Sequence, residues 1–180
     1  MKKEDRRISM TKRMLKEALT DILKEKDIYH ISIRELCEKA DVNRTTFYKY
    51  YGSQFDLFTE MEYDFISFVI EALNSGEGNI EAIIIPICKY LEENIDFARL
   101  IINNNVDREF TKKLFSINAV RKSFLDRFSG DSDGIPFEYA YNFCTYGSYS
   151  IVREWIQSDE RESCEELGIK VKKLIIKTLK

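Results

Sequence analysis

A chain of 180 residues, 44% hydrophobic and 33% charged, carries the apolar material for a sizeable core. Two prolines and seven glycines are too few to punctuate a strand-and-turn architecture, and no run of about 18 apolar residues is present to cross a bilayer. The net charge of −3 argues against a general nucleic-acid coat, yet it is unevenly spread: 13 Lys or Arg stand against 9 Asp or Glu through Gly52, and 15 against 22 from Ser53 onward. A basic head on an acidic body suits a protein that touches phosphates at one end.

The hydrophobic period is helical almost throughout, with no internal repeat. A first helix is predicted from about Thr11, its N-cap, to Lys24; Met14, Leu15, Ala18, Leu19, Ile22 and Leu23 share one face. Lys26 to Ile31 connects. Ser32 with Glu35 forms a capping box for a second helix ending near Ala40. Asp41, Val42 and Asn43 turn the chain, and Asn43 caps a short third helix from Arg44 to about Tyr50, ended by Gly52. Ser53 caps a fourth helix to about Leu73, and Ser75 to Asn79 is a loop. A fifth runs from about Ile80 to Asn94, with Pro86 either kinking it or marking a late start. The rest are expected near Phe97 to Asn103, Glu109 to Phe128, Pro136 to Gln157 and, opened by Ser163 with Glu166, on to about Leu179. About nine helices and no strand signal make an all-α chain.

The chemistry sits in helix two, the three-residue turn and helix three. Two short helices joined so tightly cross steeply and push the second outward. An exposed short helix fits a major groove about 12 Å wide. Arg44 can donate two hydrogen bonds to guanine, Thr45 and Thr46 offer hydroxyls and methyls, and Tyr48 lies one turn from Arg44 on the same face. Lys49 and Tyr50 flank them, while Phe47 and Tyr51 form the inward seam. The same pattern also describes a plain amphipathic helix with surface charges.

The stretch ISIRELCEKADVNRTTFYKYYGSQFDLF resembles the head of the TetR/AcrR family of bacterial regulators. The resemblance rests on the turn Ala40-Asp41-Val42, the polar cap Asn43 and the helix end Tyr48-Lys49-Tyr50-Tyr51. It implies base contacts from Arg44, Thr45 and Tyr48, and phosphate contacts from Thr46, Lys49, Tyr50 and Ser32, the last at a helix N-terminus. Asp41 stands where the family usually has Gly, and Gln54 where it usually has Lys, which puts one phosphate contact in question.

The resemblance also implies a helix-turn-helix DNA-binding domain over residues 1–52 and a helical ligand-binding and dimerisation domain over 53–180. The last two helices would build a homodimer, with small residues at Tyr146-Gly147-Ser148 admitting a partner helix. Such a dimer would bind a palindromic operator in double-stranded DNA, as a repressor released by an unknown small-molecule effector. Phe65, Phe68, Tyr90, Phe97, Phe115, Tyr141 and Phe143 are the candidate cavity residues, although aromatics at helical spacing are as a rule core filling.

The scattered Cys37, Cys88, Cys144 and Cys164 and the single His30 offer no metal-ligand cluster, so no metal and no cofactor are expected. No GxGxxG, P-loop, HExxH or GxSxG is present, so no enzyme is expected. The charged Met1 to Arg7 lacks the apolar stretch of a secretory signal, so a cytoplasmic protein without a membrane partner is expected. A helical ligand-binding or adaptor protein without DNA binding is the alternative.

Overall fold

In the computed structural model the residues described are 3–76, 79–102, 110–125 and 134–178. They form ten α-helices and one 3-10 turn: α1 Lys3–Leu23, the turn Ile28–His30, α2 Ile33–Lys39, α3 Arg44–Phe47, α4 Gln54–Ser75, α5 Ile80–Glu93, α6 Ile95–Ile102, α7 Phe110–Phe115, α8 Asn118–Leu125, α9 Phe137–Gln157 and α10 Cys164–Thr178. No helix among them is long and apolar enough to cross a membrane.

The helix α1 begins eight residues before the predicted start. Thr11 is not its cap. Its hydroxyl donates to the Arg7 carbonyl at 2.9 Å, so helical backbone already satisfies it. Of the predicted inner face, Leu15, Ala18, Leu19, Ile22 and Leu23 are buried and Met14, at its edge, is half-buried. Around them α2, α3 and α4 close the head, and one continuous core runs from Leu15 through Tyr51 and Leu57 to Val171.

Caps explain most helix starts. Ser53 accepts from the Asp56 N–H while the Asp56 carboxylate accepts from the Ser53 N–H, a full capping box. Ser163 and Glu166 repeat the arrangement ahead of α10. Ser32 accepts from the Glu35 N–H at 3.2 Å, and the Glu35 carboxylate also meets Lys26 Nζ at 2.5 Å, the ion pair holding its pKa down. Asn79 caps α5, which starts at Ile80, and Pro86 lies inside it, so the late start is not taken.

The predicted helix from Glu109 to Phe128 is two, α7 and α8, broken at Ser116 and Ile117. Its outer parts lie outside the described residues, as do Asn103, Leu179 and the core of the loops at 75–79 and 129–134. In the body α10 lies along α5, and Gly168 makes the approach possible: a Cβ there would sit 2.7 Å from Ile85 Cγ1. The ion pairs Lys89–Glu165 at 2.6 Å and Lys172–Glu81 at 3.1 Å flank the seam. Tyr149 on α9 donates to the Ile102 carbonyl at 3.2 Å, and Trp155 donates to the Glu162 carbonyl at 2.8 Å.

Candidate nucleic-acid interface and the cavity behind it

The turn between α2 and α3 is a Schellman motif. The Val42 N–H donates to the Cys37 carbonyl at 3.0 Å and the Asp41 N–H to the Glu38 carbonyl at 3.3 Å. Asp41 therefore takes φ +51°, the left-handed region. Asn43 then caps α3, its side chain accepting from the Thr45 N–H at 2.8 Å. Past Phe47 the chain continues in turn bonds, Lys49 N–H to Thr46 carbonyl at 3.3 Å and Tyr50 N–H to Phe47 carbonyl at 2.9 Å.

Phe47 and Tyr51 are buried and fix which side of this short helix faces out. Arg44, Thr45, Tyr48 and Lys49 are exposed, Tyr48 at 58% despite its aromatic ring. Ser32 is exposed at the start of α2. Thr46 and Tyr50 are half-buried; the Tyr50 ring lies 5.9 Å from Lys12 Nζ and packs against the core.

The Gln54 side chain donates to the Ile28 carbonyl at 3.2 Å, pinning the 3-10 turn to α4. Beside it the exposed Tyr29 packs on Phe55, ring centroids 5.2 Å apart. The departure at Gln54 was visible in the sequence; its partner, a backbone oxygen 26 residues away, was not.

Under the head, Glu60 gathers Lys12 Nζ at 2.7 Å, Lys16 Nζ at 2.8 Å and the Tyr51 hydroxyl at 3.1 Å. Lys16 also meets Asp64 at 2.5 Å. Burial pushes the Glu60 carboxyl up, but the ammonium and hydroxyl donors outweigh it and hold it down at about 2. Burial and the Glu60 charge push the Tyr51 phenol well above its ordinary range.

In the body, residues of α4 through α10 line a half-open cavity of about 210 Å³. Phe65 and Phe115 line it. The other five candidates do not. Phe68 and Tyr90 stack on each other at 4.5 Å, and Tyr90 and Phe97 border a separate polar cleft beside Lys16 and Asp64. Tyr141 joins a small cluster with Phe124 and donates its hydroxyl to the Phe115 carbonyl at 2.8 Å. Phe143 is 68% exposed and points to solvent. The wall is mostly aliphatic, including Val69, Ile83, Ile87 and Leu91. The run Ile83-Ile84-Ile85 was the available signal, but apolar residues on a buried helix do not announce which of them border a void. Burial raises the Cys88 thiol to about 12 and the Cys144 thiol above its usual value, so both stay neutral. All four cysteines are free and buried, and no group of metal-ligating side chains gathers among the described residues.

A capped turn, a short outward helix and a helical body define the class: a helix-turn-helix transcription regulator. A family model described as a transcriptional regulator C-terminal region, of TetR type, matches residues 78–177. The chain belongs to the TetR family of transcriptional regulators. It is 25% identical over 169 residues to an uncharacterized HTH-type transcriptional regulator, YxbF, of Bacillus subtilis (strain 168), covering 89% of this chain and 43% of that protein. The chain thus spans less than half the length of that relative. Two solved structures share the fold. A TetR transcriptional regulator from Streptococcus agalactiae 2603V superposes with a TM-score of 0.68 at 21% identity, over 96% of this chain and 97% of that one. The dihydroxyacetone kinase operon activator DhaS superposes with a TM-score of 0.67 at 20% identity, over 94% and 96%.

Proposed function

We propose that this regulator binds a palindromic operator as a homodimer, in the cytoplasm, and acts as a repressor released by a small molecule. Residues 1–52 would form the DNA-binding head and residues 53–180 the ligand-binding and dimerisation body. The observation that carries the reading is the outward face of α3. Phe47 and Tyr51 anchor it, and Arg44, Thr45, Tyr48 and Lys49 are left exposed together. Those four supply a guanine-reading fork, a hydroxyl and methyl, an aromatic ring and a phosphate-seeking cation. Thr46, Tyr50 and Ser32 would contribute phosphate contacts at its edges.

Dimerisation through α9 and α10 is supported by apolar side chains that the single chain leaves uncovered: Tyr139, Phe143 and Tyr146 on α9, Ile169, Leu174 and Ile176 on α10. On α10, Leu167 and Val171 are buried, whereas Leu174 is 52% exposed, which suits a second copy. Two heads set one DNA turn apart, roughly 34–36 Å, read inverted half-sites. The cavity behind α4 supports ligand release, since an occupant packed on Phe65 bears on the helix that starts beneath α3.

Selection of binding sites from a random DNA pool tests the whole reading. The expected product is a two-fold symmetric sequence with half-site centres about 10 base pairs apart. Recovery of no preferred sequence at low salt would leave the helical adaptor reading in its place. Reporter expression from the selected site, with and without the gene, separates repressor from activator.

A further inference from the structure

Resting on the ligand-responsive reading above, we infer that the body cavity takes an uncharged, mainly hydrocarbon molecule carrying at most one hydrogen-bonding group, which Ser148 meets. The cavity residues include no Asp, Glu, Lys, Arg or His among those described. The heteroatoms that remain are almost all engaged by the protein itself. Thr145 Oγ1 donates to the Tyr141 carbonyl at 2.6 Å, and the Tyr149 hydroxyl to the Ile102 carbonyl at 3.2 Å. The Cys88 and Cys144 thiols are neutral, because burial raises both. Ser148, half-buried one turn from Cys144 and from Val152, is the wall hydroxyl with no protein hydrogen bond among the described residues.

A carboxylate, ammonium or phosphate entering this space would give up hydration and find no counter-charge among the described lining residues. A molecule with two or more polar groups would leave all but one unsatisfied. An apolar molecule meets a wall that is almost wholly carbon among the described residues and replaces a void with contacts. The size agrees: a cavity of about 150 Å³ holds one benzene, so about 210 Å³ admits a molecule of roughly eight carbons.

Four molecules of one skeleton test this on the full-length protein: ethylbenzene, 2-phenylethanol, phenylacetate and 2-phenylethylammonium, at about pH 7, where the last two are ionised. Calorimetric titration should show the two neutral molecules binding at least about 100-fold more tightly than either ion. Ser148→Ala should weaken 2-phenylethanol about 5- to 10-fold and leave ethylbenzene unchanged. Val69→Phe, which fills the space with apolar volume, should abolish binding of both while the protein still melts cooperatively. Equal affinity for neutral and charged members, or no binding by any, overturns the ligand class. An unchanged 2-phenylethanol affinity in Ser148→Ala overturns the polar contact, and full binding by a folded Val69→Phe overturns the site. Operator release is read separately by fluorescence anisotropy. Binding without release sinks the ligand-responsive reading and leaves the ligand class standing.

Discussion

Glu60 holds the head to α4 in one geometry, because its carboxylate meets Lys12, Lys16 and the Tyr51 hydroxyl at once. Its pKa is lowered from 4.5 to about 2, so the folded state binds its proton less readily than the unfolded chain. The stabilisation is therefore complete above the unfolded value and is lost as pH falls through the folded one. Glu60→Gln keeps the shape and removes the charge, and should cost about 1–3 kcal/mol at neutral pH. Urea midpoints of the two proteins should lie well apart at about pH 7, draw closer below about pH 4.5 and meet only as pH falls through about 2; a gap that stays constant would locate the cost elsewhere. On the outward face the residues should separate by kind. Arg44→Ala should cost about 1–3 kcal/mol on the selected site and relax preference at one base. Lys49→Ala should weaken binding on every sequence alike and reduce the salt slope by about 1. Anisotropy titrations on matched and scrambled DNA distinguish the two, and an Arg44→Ala protein with unchanged preference would refute the assigned register of α3.

The turn before α3 shows how far an element is legible in a sequence. Ser32, Asn43, Ser53 and Ser163 each announce a helix start, because a cap is a hydrogen bond over two or three residues. The same locality exposes Asp41 as a residue standing where the backbone wants glycine, at φ +51°. A non-glycine residue in the left-handed region is strained, and the Asp side chain reduces that cost without removing it. Asp41→Gly should raise stability by about 0.5–1 kcal/mol, and Asp41→Val should lower it by about 1–2 kcal/mol. Both are read from urea unfolding, and a destabilised Asp41→Gly would mean that the aspartate side chain holds the turn. What was not legible depends on distant partners. The stretch of α1 before Thr11 is charged and carries little of the apolar period, and Thr11 mimics a cap. The break at Ser116 falls inside an apolar pattern, Phe110, Leu114, Phe115, Ile117, that reads as one helix. Both Phe115 and Ile117 pack against the core, so the chain bends to bury them. On α9, Phe143, one of the expected cavity residues, and its neighbour Cys144 differ by one position, yet the first is exposed and the second buried. Helical spacing offers two candidate faces on an aromatic-rich helix, and tertiary packing chooses between them.

At the scale of the whole molecule, the proposed homodimer rests on the outward face of α9. Tyr139, Phe143 and Tyr146 lie there with Gly147, and a Cβ added at Gly147 meets nothing within 4 Å among the described residues. A mid-helix glycine costs about 1 kcal/mol relative to alanine, so a glycine with free space around it in one chain needs a reason outside that chain. Close approach of a second copy of α9 supplies one. Gly147→Glu separates the two requirements. In a single chain it should be tolerated, because glutamate is a better helix former than glycine and the position is open. In a two-fold dimer it sets a carboxylate near its own symmetry mate on an apolar face, where neither can be solvated well. The expected variant still melts cooperatively, at a lower temperature than the dimer because the stabilisation from association is lost, and sediments as a monomer at micromolar concentration. Its affinity for the full palindrome should fall by about 10²- to 10⁴-fold, the loss expected when two linked contacts become one, with half-site binding unchanged. Sedimentation as a dimer with full operator affinity would move the interface off this face of α9.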